Sequence, residues 1–254
     1  MPTHQRRPYR RDITCGTDRG FHQGSLSMSI TEETLTRLAA AAAVAGGLLF
    51  IAVQINHPPV DLALVTTGEW VIRQSMKVAF TVLALIGITG MYLRQVTKSG
   101  ILGLIGYLIL AAGFLTMFAL ETVGLVVMPA IAGSAPGYVG DVLAVATNGT
   151  AVGDIGAMTQ LNLIGGIGYL AGGLVFGIAM FRANVLARWA SILLAVATPL
   201  SLAIPVLPWI NQRLFAIPTG LALIALGYSL WRESRNPASV AAVAEVPLSD
   251  RVGQ

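Results

Sequence analysis

Charged residues are scarce in this chain, and their scarcity indicates its class. Only 11% of its 254 residues are Asp, Glu, Lys or Arg, whereas 55% are hydrophobic and the mean hydropathy is +0.72. A soluble domain usually carries about 25% charged residues, so most of this chain must face lipid or other apolar helices. The net charge of +4 resembles that of nucleic-acid-binding proteins. Basic flanks beside anionic headgroups explain the excess, and we expect no nucleic-acid partner.

Cysteine, histidine and the common catalytic motifs are also nearly missing. The single cysteine, Cys15, excludes an intramolecular disulfide and a multi-cysteine metal site. The chain has three histidines, two of them in its N-terminal tail, and this argues against haem ligation across a bundle. It contains no phosphate-binding loop, dinucleotide fingerprint, HExxH or GxSxG motif. We therefore expect no metal and no cofactor, assign no catalytic residue, and favour a protein that is not an enzyme.

Positive charge is missing from one side of the predicted topology. Six apolar runs have roughly the 20 residues that a hydrocarbon core of about 30 Å requires. The predicted spans are residues 35–55, 67–93, 101–127, 160–181, 186–207 and 212–231. Of the 16 Lys and Arg residues, all but Arg73, Lys77 and Arg213 fall before the first run, after the last, or in the two loops on that same side. Because basic residues mark the cytoplasmic side, we expect an all-α bundle of six transmembrane helices in the cell membrane, with both termini cytoplasmic.

Two tails flank the predicted membrane domain, residues 34–232. Residues 1–33 form a basic tail and residues 233–254 an Ala/Val/Ser/Pro-rich tail, and both compositions predict disorder. Ser29 and Glu32 have capping-box spacing just ahead of the first helix. This makes Met28 an alternative start, so residues 1–27 are either a tail or an artefact of the assigned gene start.

Glycine is concentrated in the fourth predicted span. Its two sets are Gly165, Gly168 and Gly172 on one face, and Gly166, Gly173 and Gly177 on another. Helix association in lipid relies on close packing, so we expect a helix grooved on two faces to lie near the bundle centre. The same faces are candidates for joining two copies of the chain in a homo-oligomer.

The tryptophans support this register. Trp70 and Trp209 fall at predicted outer ends, and Trp189 and Trp231 fall at inner ends. Indoles prefer the headgroup level of the bilayer, which is where the predicted spans place them. Within the longest loop, residues 139–147 are predicted to form a short interfacial helix.

Polar and titratable side chains collect in the outer third of the predicted bundle. The candidate ligand-binding or ion-pairing residues are Glu121, Lys77, Arg73, Glu69, Arg213, His57 and Asn162. Ionisable groups within spans are energetically costly, and by default they raise a functional question. Glu69, Arg73 and Lys77 are spaced by four and are predicted to share one face of the second span.

Structural interpretations compete with functional ones. Glu69 has capping-box spacing from Thr66 and is four residues from Arg73, which suits an ion pair. Glu121 is harder to dismiss, because the third span starts inside and its side chain therefore tilts toward the membrane. It needs a partner, and Lys77 or Arg73 is the expected one.

If these residues form a site, the pattern predicts a pocket open to the outside. The second, fourth and sixth spans present helix N-termini there, and these carry partial positive charge. The pocket would then favour a small anionic or lipid-like ligand. Arg213 and His57 also have simpler interpretations, as a side chain reaching to water and as a loop histidine before two prolines.

Three function classes remain open, within a general pattern typical of small multi-span bacterial membrane proteins. A small transporter or channel-like protein is weakly favoured, because Pro199 should bend the fifth span beside a polar cavity. A structural or regulatory membrane protein without a ligand site is the first alternative. A membrane-embedded enzyme that acts on an anionic or lipid-like substrate, with Glu121 as acid or base, is the second. A transporter needs the cavity to continue inward, whereas a structural protein needs Glu121 paired and the core filled.

Overall fold

A computed structural model describes residues 31–55, 57–58, 60–200 and 216–235, and every regular element within these ranges is helical. The α-helices are α1 (Glu32–Gln54), α2 (Gly68–Thr122), α3 (Met128–Ile131), α4 (Pro136–Ala146), α5 (Met158–Ala183), α6 (Arg188–Leu200) and α7 (Ala216–Glu233). A 3₁₀ turn, Leu62–Leu64, precedes α2, and a π-helical segment, Val123–Val127, joins α2 to α3. The all-α prediction is confirmed for this part of the chain.

Helix α2 is a hairpin of two antiparallel arms, residues 68–94 and 101–122. The backbone leaves helical geometry between them, and Gly100 has a φ of 56°, which glycine adopts without strain. Across the turn, Tyr92 stacks on Tyr107 with ring centroids 4.7 Å apart. The two arms correspond to the second and third predicted spans.

Neighbouring helices touch at backbone distance through small residues. The first arm of α2 packs on α1, the second arm packs on α5, and α6 and α7 close the bundle against α5 and α1. A Cβ added at Gly168 would lie 2.7 Å from the Cα of Gly113, and one added at Gly227 would lie 2.8 Å from the carbonyl oxygen of Ala40. Such contacts leave no room for a side chain and maximise van der Waals packing, which holds helices together in lipid.

Helix α5 uses its two glycine faces against two different neighbours, as its spacing predicted. Gly172 lies against Leu110 of the second arm, and Gly177 lies against Ala195 of α6. Both contacts lie within one chain, so Gly172 and Gly177 serve packing inside the bundle. Helix α5 also reaches α7, because the Tyr169 hydroxyl donates a hydrogen bond of 3.0 Å to Thr219 Oγ1.

The helices have the length and exterior of membrane helices. Within the described residues, the stretches long and apolar enough to cross a bilayer are Glu32–Gln54, Gly68–Ile131 and Met158–Ala183. Large apolar side chains such as Ile72 and Ile101 are mostly exposed on the outside of the bundle. Isolated exposed apolar residues are normal in soluble proteins, but many exposed apolar residues along such long apolar helices indicate a membrane protein.

The two ends of the bundle differ in charge. The basic residues at one end, which we name the arginine end, are Arg37, Arg94, Lys98, Arg182, Arg188, Arg232 and Arg235. There the Arg94 guanidinium pairs with Glu233 at 3.0 Å across two helices. The opposite end, which we name the cavity end, holds the 3₁₀ turn and α4.

Both predicted helix starts are off by one or two residues. Thr31, rather than Ser29, caps α1 through its side chain. Thr67, rather than Thr66, caps α2, and its hydroxyl accepts a 3.2 Å hydrogen bond from the Trp70 amide. The predicted capping boxes are therefore wrong, because each cap needs a residue with extended backbone directly before the helix.

Other boundaries differ in ways that affect the site. The third span was expected to end at Val127, but the π-helical segment carries the helix on to Ile131. Helix α4 confirms the predicted short helix in the longest loop. Trp70 was expected at the headgroup level, but it is buried, with 6% of its surface exposed.

Several predictions fall outside the described residues. They concern Arg213, Trp209, the end of the fifth predicted span, the start of the sixth, and most of both tails. Pro199 lies inside α6, one residue before the last described residue of that helix, and the segment beyond the predicted kink lies outside the described residues.

We expect Gly168→Ala to destabilise the bundle, because its new methyl group would collide with the backbone of Gly113. Overpacking of this kind costs roughly 1–3 kcal/mol, and the midpoint of thermal unfolding in detergent should fall by several degrees. Gly166→Ala is the matched control on the same helix, since nothing lies within 4 Å of its new Cβ. Equal effects of the two substitutions would contradict close packing at Gly168.

Candidate functional site

An ion pair joins the two arms of α2 at the cavity end. Lys77 Nζ lies 3.5 Å from Glu121 Oε2, with 25% and 23% of the two side chains exposed. The Gln74 amide nitrogen donates a 2.8 Å hydrogen bond to the same carboxylate oxygen. The expected partner of Glu121 is thus Lys77 and not Arg73.

Arg73 has a different task on the neighbouring face of the helix. It pairs with Glu69 at 2.8 Å, as predicted for this spacing. Its Nη1 also donates to the carbonyl oxygens of Val53 at 3.1 Å and Ile55 at 3.3 Å, which lie at the end of α1. The three residues divide between two ion pairs, because Arg73 pairs with Glu69 whereas Lys77, about 80° around the helix from Glu69, pairs with Glu121.

A cavity of about 400 Å³ lies beside the Lys77–Glu121 pair, between α2, α4 and α5. Its polar lining includes His57, Gln74, Lys77, Glu121, Thr147, Asn148, Asn162 and Tyr169, and the rest is mainly Met, Val and Leu. Four of the seven predicted site residues therefore meet around one cavity. Asn162 also donates to the carbonyl oxygen of Val145 at 3.3 Å, which joins α5 to α4.

The π-helical segment shapes the wall next to the ion pair. The indole nitrogen of Trp70 donates a buried 2.8 Å hydrogen bond to the carbonyl oxygen of Gly124. Gly124 has no side chain, and a Cβ there would collide with the Gln74 amide. Such π-helical turns occur often at functional sites, and this one brings Gln74 into reach of Glu121.

Sequence reasoning missed Gln74 and the inward position of Trp70. Gln74 is neutral, so a search for charged residues in apolar runs passes over it. The available signal was spacing: Trp70, Gln74 and Lys77 are separated by four and three residues, which places them on one stripe of a helix. The π-helical segment carries no equally clear signal in the sequence.

Aromatic side chains lie between the Lys77–Glu121 pair and the arginine end. A smaller cavity of about 190 Å³ shares Lys77 and Glu121 with the first, and is bounded by Phe50 and Phe80. These two rings stack with centroids 4.5 Å apart, and Phe80 meets Phe114 edge-on at 5.7 Å. An aromatic layer therefore fills the core between the ion pair and the arginine end.

The loop that borders the cavity after α4 is held in place by the carboxylate of Asp141. Asp141 of α4 accepts hydrogen bonds from the backbone amides of Val152 at 3.0 Å and Gly153 at 2.8 Å. These two bonds stabilise the ionised form and lower the pKa of Asp141 below its ordinary value. They fasten the loop after α4, where Thr147 and Asn148 border the cavity.

No group of three or more His, Cys, Asp or Glu residues that could hold a metal ion occurs in the described part of the chain. Comparison of the chain with protein family models, curated proteins and solved structures gives no match.

A double-mutant cycle on Lys77→Met and Glu121→Gln should give a favourable coupling of about 1 kcal/mol, as expected for a partly exposed pair. Equilibrium unfolding in mixed detergent micelles would measure it. The matched cycle on Glu69→Gln and Arg73→Gln should give less, roughly 0.3–0.5 kcal/mol, because Glu69 is about half exposed and the pair lies within one helix at a spacing of four. A coupling at Lys77–Glu121 no larger than in this control would show that the pair is incidental.

Asp141→Asn should loosen the loop that follows α4, because a neutral amide accepts weaker hydrogen bonds than a carboxylate. Hydrogen exchange at the amides of Val152 and Gly153 should accelerate. Since the pKa of Asp141 is lowered in the folded state, the wild-type loop should stay ordered above the ordinary carboxyl pKa. It should loosen as the pH falls through the lowered value. Exchange rates at these amides that change neither with the substitution nor with acid would refute this role.

Proposed function

We propose that the chain is a six-span protein of the cell membrane, with α5 near the centre and the arginine end in the cytoplasm. The six spans are α1, the two arms of α2, α5, α6 and α7. The antiparallel packing of neighbouring helices supports this count, and the concentration of basic residues at one end supports the orientation.

We propose further that the cavity binds a small anionic or lipid-like ligand from the outer side, as the first step of transport. The observation that carries this proposal is the meeting of His57, Lys77, Glu121 and Asn162 around one cavity whose remaining wall is mainly apolar. Lys77 would receive the anionic group, and the Met- and Leu-rich wall would receive the apolar part of the ligand.

Electrostatics favour an anion over a cation at this site. Glu121 accepts a hydrogen bond from Gln74 as well as pairing with Lys77, so its carboxylate keeps a polar partner when Lys77 turns to a ligand. Helix α5 begins at Met158, which lines the cavity, and a helix N-terminus adds partial positive charge. A ligand carboxylate or phosphate would therefore replace Glu121 as the partner of Lys77.

Transport would require the aromatic layer beneath the ion pair to move. Phe80 and Phe114 are each only 2% exposed and separate the cavity from the arginine end. This filled core and the compensated Glu121 also favour a second candidate, a structural or regulatory membrane protein without a ligand. The enzyme alternative, with Glu121 as acid or base, has less support, because the exposed residues Ala146 to Asn148 leave the cavity mouth open to water.

The orientation can be tested by labelling. In a Cys15→Ser background, Thr147→Cys at the cavity end should react with a membrane-impermeant maleimide added to intact cells. Lys98→Cys at the arginine end should react only after the cells are lysed. The reverse pattern would place the cavity mouth in the cytoplasm and overturn the outward-facing site.

Ligand binding can be tested with a panel of alkyl carboxylates and alkyl phosphates added to the detergent-purified protein. At least one should raise the midpoint of thermal unfolding, and Lys77→Met should abolish this shift. Asn184→Ala, far from the cavity at the end of α5, should keep the shift. If an anion stabilises the protein but is not taken up by proteoliposomes, binding stands and transport fails. No shift with any anion would favour the structural candidate.

A further inference from the structure

A second concave surface lies at the arginine end, far from the proposed ligand cavity. It is a groove of about 590 Å³ between α6 and α7. Its larger side chains are Trp189, Tyr228, Ser229, Arg232, Glu233 and Arg235. The proposed transport function uses none of them.

Positive charge in this groove is not cancelled by its own acidic residue. Glu233 is engaged by Arg94 of α2 at 3.0 Å. Among the described residues, neither Arg232 nor Arg235 forms an ion pair, and both are exposed. Arg232 lies in the last turn of α7 and Arg235 in the turn that follows, and both line the groove.

Aromatic side chains border the groove at the same level. Trp189 is 63% exposed and Tyr228 is 60% exposed. Trp and Tyr with an apolar body and a polar edge are enriched at the headgroup level of membranes. The groove therefore lies where the polar and apolar parts of a lipid meet.

An apolar strip leads from the groove along both helices. On α6, Ile192 and Val196 follow Trp189 at intervals of three and four residues, and on α7 Leu221 lies seven residues before Tyr228. These three aliphatic side chains are 47–54% exposed. A basic recess continuous with an exposed apolar strip matches the two parts of a phospholipid.

We propose that this groove binds one anionic phospholipid. Its phosphate-containing headgroup lies against Arg232 and Arg235, and its acyl chains lie along the strip formed by α6 and α7. Basic recesses between membrane helices are suited to anionic headgroups. A zwitterionic lipid brings no net charge to the two arginines, and free phosphate makes no contact with the strip.

Native mass spectrometry of the full-length protein in neutral detergent tests the proposal. With added phosphatidylglycerol we expect one retained lipid per chain, and with phosphatidylcholine at the same concentration we expect much less. Arg232→Gln together with Arg235→Gln should weaken phosphatidylglycerol binding on the order of tenfold. Lys98→Gln with Arg182→Gln removes the same charge from exposed positions at this end outside the groove, and should retain the wild-type affinity.

Three results would overturn the proposal: equal retention of the two lipids, equal loss in both double variants, or complete competition by inorganic phosphate. Gel filtration and unchanged thermal unfolding in detergent alone would show that the groove variant is folded. The anion panel provides an internal reference, because the outer cavity does not contain Arg232 or Arg235. Loss of phosphatidylglycerol binding with a preserved anion-induced shift would separate the two sites.

Discussion

Close contact between helix backbones is the constraint on which the remaining structure depends. In lipid, apolar side chains gain little by exchanging lipid tails for other apolar side chains. Helices therefore associate through van der Waals contact between complementary surfaces. Here glycine meets backbone along three seams: Gly168 on Gly113, Gly177 on Ala195, and Gly227 on Ala40. Each seam has small residues on both helices, and this fixes which faces meet and at what height.

The level at which each pair of helices meets sets the positions of the polar groups. Because the arms of α2 run antiparallel from the Gly100 turn, Lys77 and Glu121 arrive at the same level. The helix at Glu121 does not end there but widens into the π-helical segment, which opens space for the Gln74 amide beside Gly124. The charged pair is thus compensated by a neighbour that a regular α-helix would not accommodate.

The two ends of the bundle present different chemistry. At the cavity end, polar side chains from several elements converge on one cavity above an aromatic layer. At the arginine end, basic side chains spread over the surface, and the groove between α6 and α7 faces outward. A convergent site suits a small ligand, whereas an outward groove continuous with apolar helix surface suits a lipid.

Much of the fold was accessible from local patterns. The hairpin arms, α5 and α7 follow apolar runs, and α4 follows a short apolar stretch within a glycine-rich loop. Helix starts were less accessible, since Thr66 and Thr67 are both competent caps and only the backbone geometry of the turn selects Thr67. The candidate site was accessible in part: Glu121 and Lys77 are charges in apolar runs, but Gln74 is neutral and Trp70 resembles any interfacial indole.

The amino-acid sequence by itself determined the class of the protein and the pairing need of Glu121, because apolar length and buried charge are properties of single segments. Only the tertiary structure decided that Lys77 satisfies this need while Arg73 anchors α1, and that His57 and Asn162 join the same cavity. The physical reason is that a helix places residues four apart about 40° from one another. The glycine seams on its neighbours then decide which of those directions faces a cavity and which faces another helix.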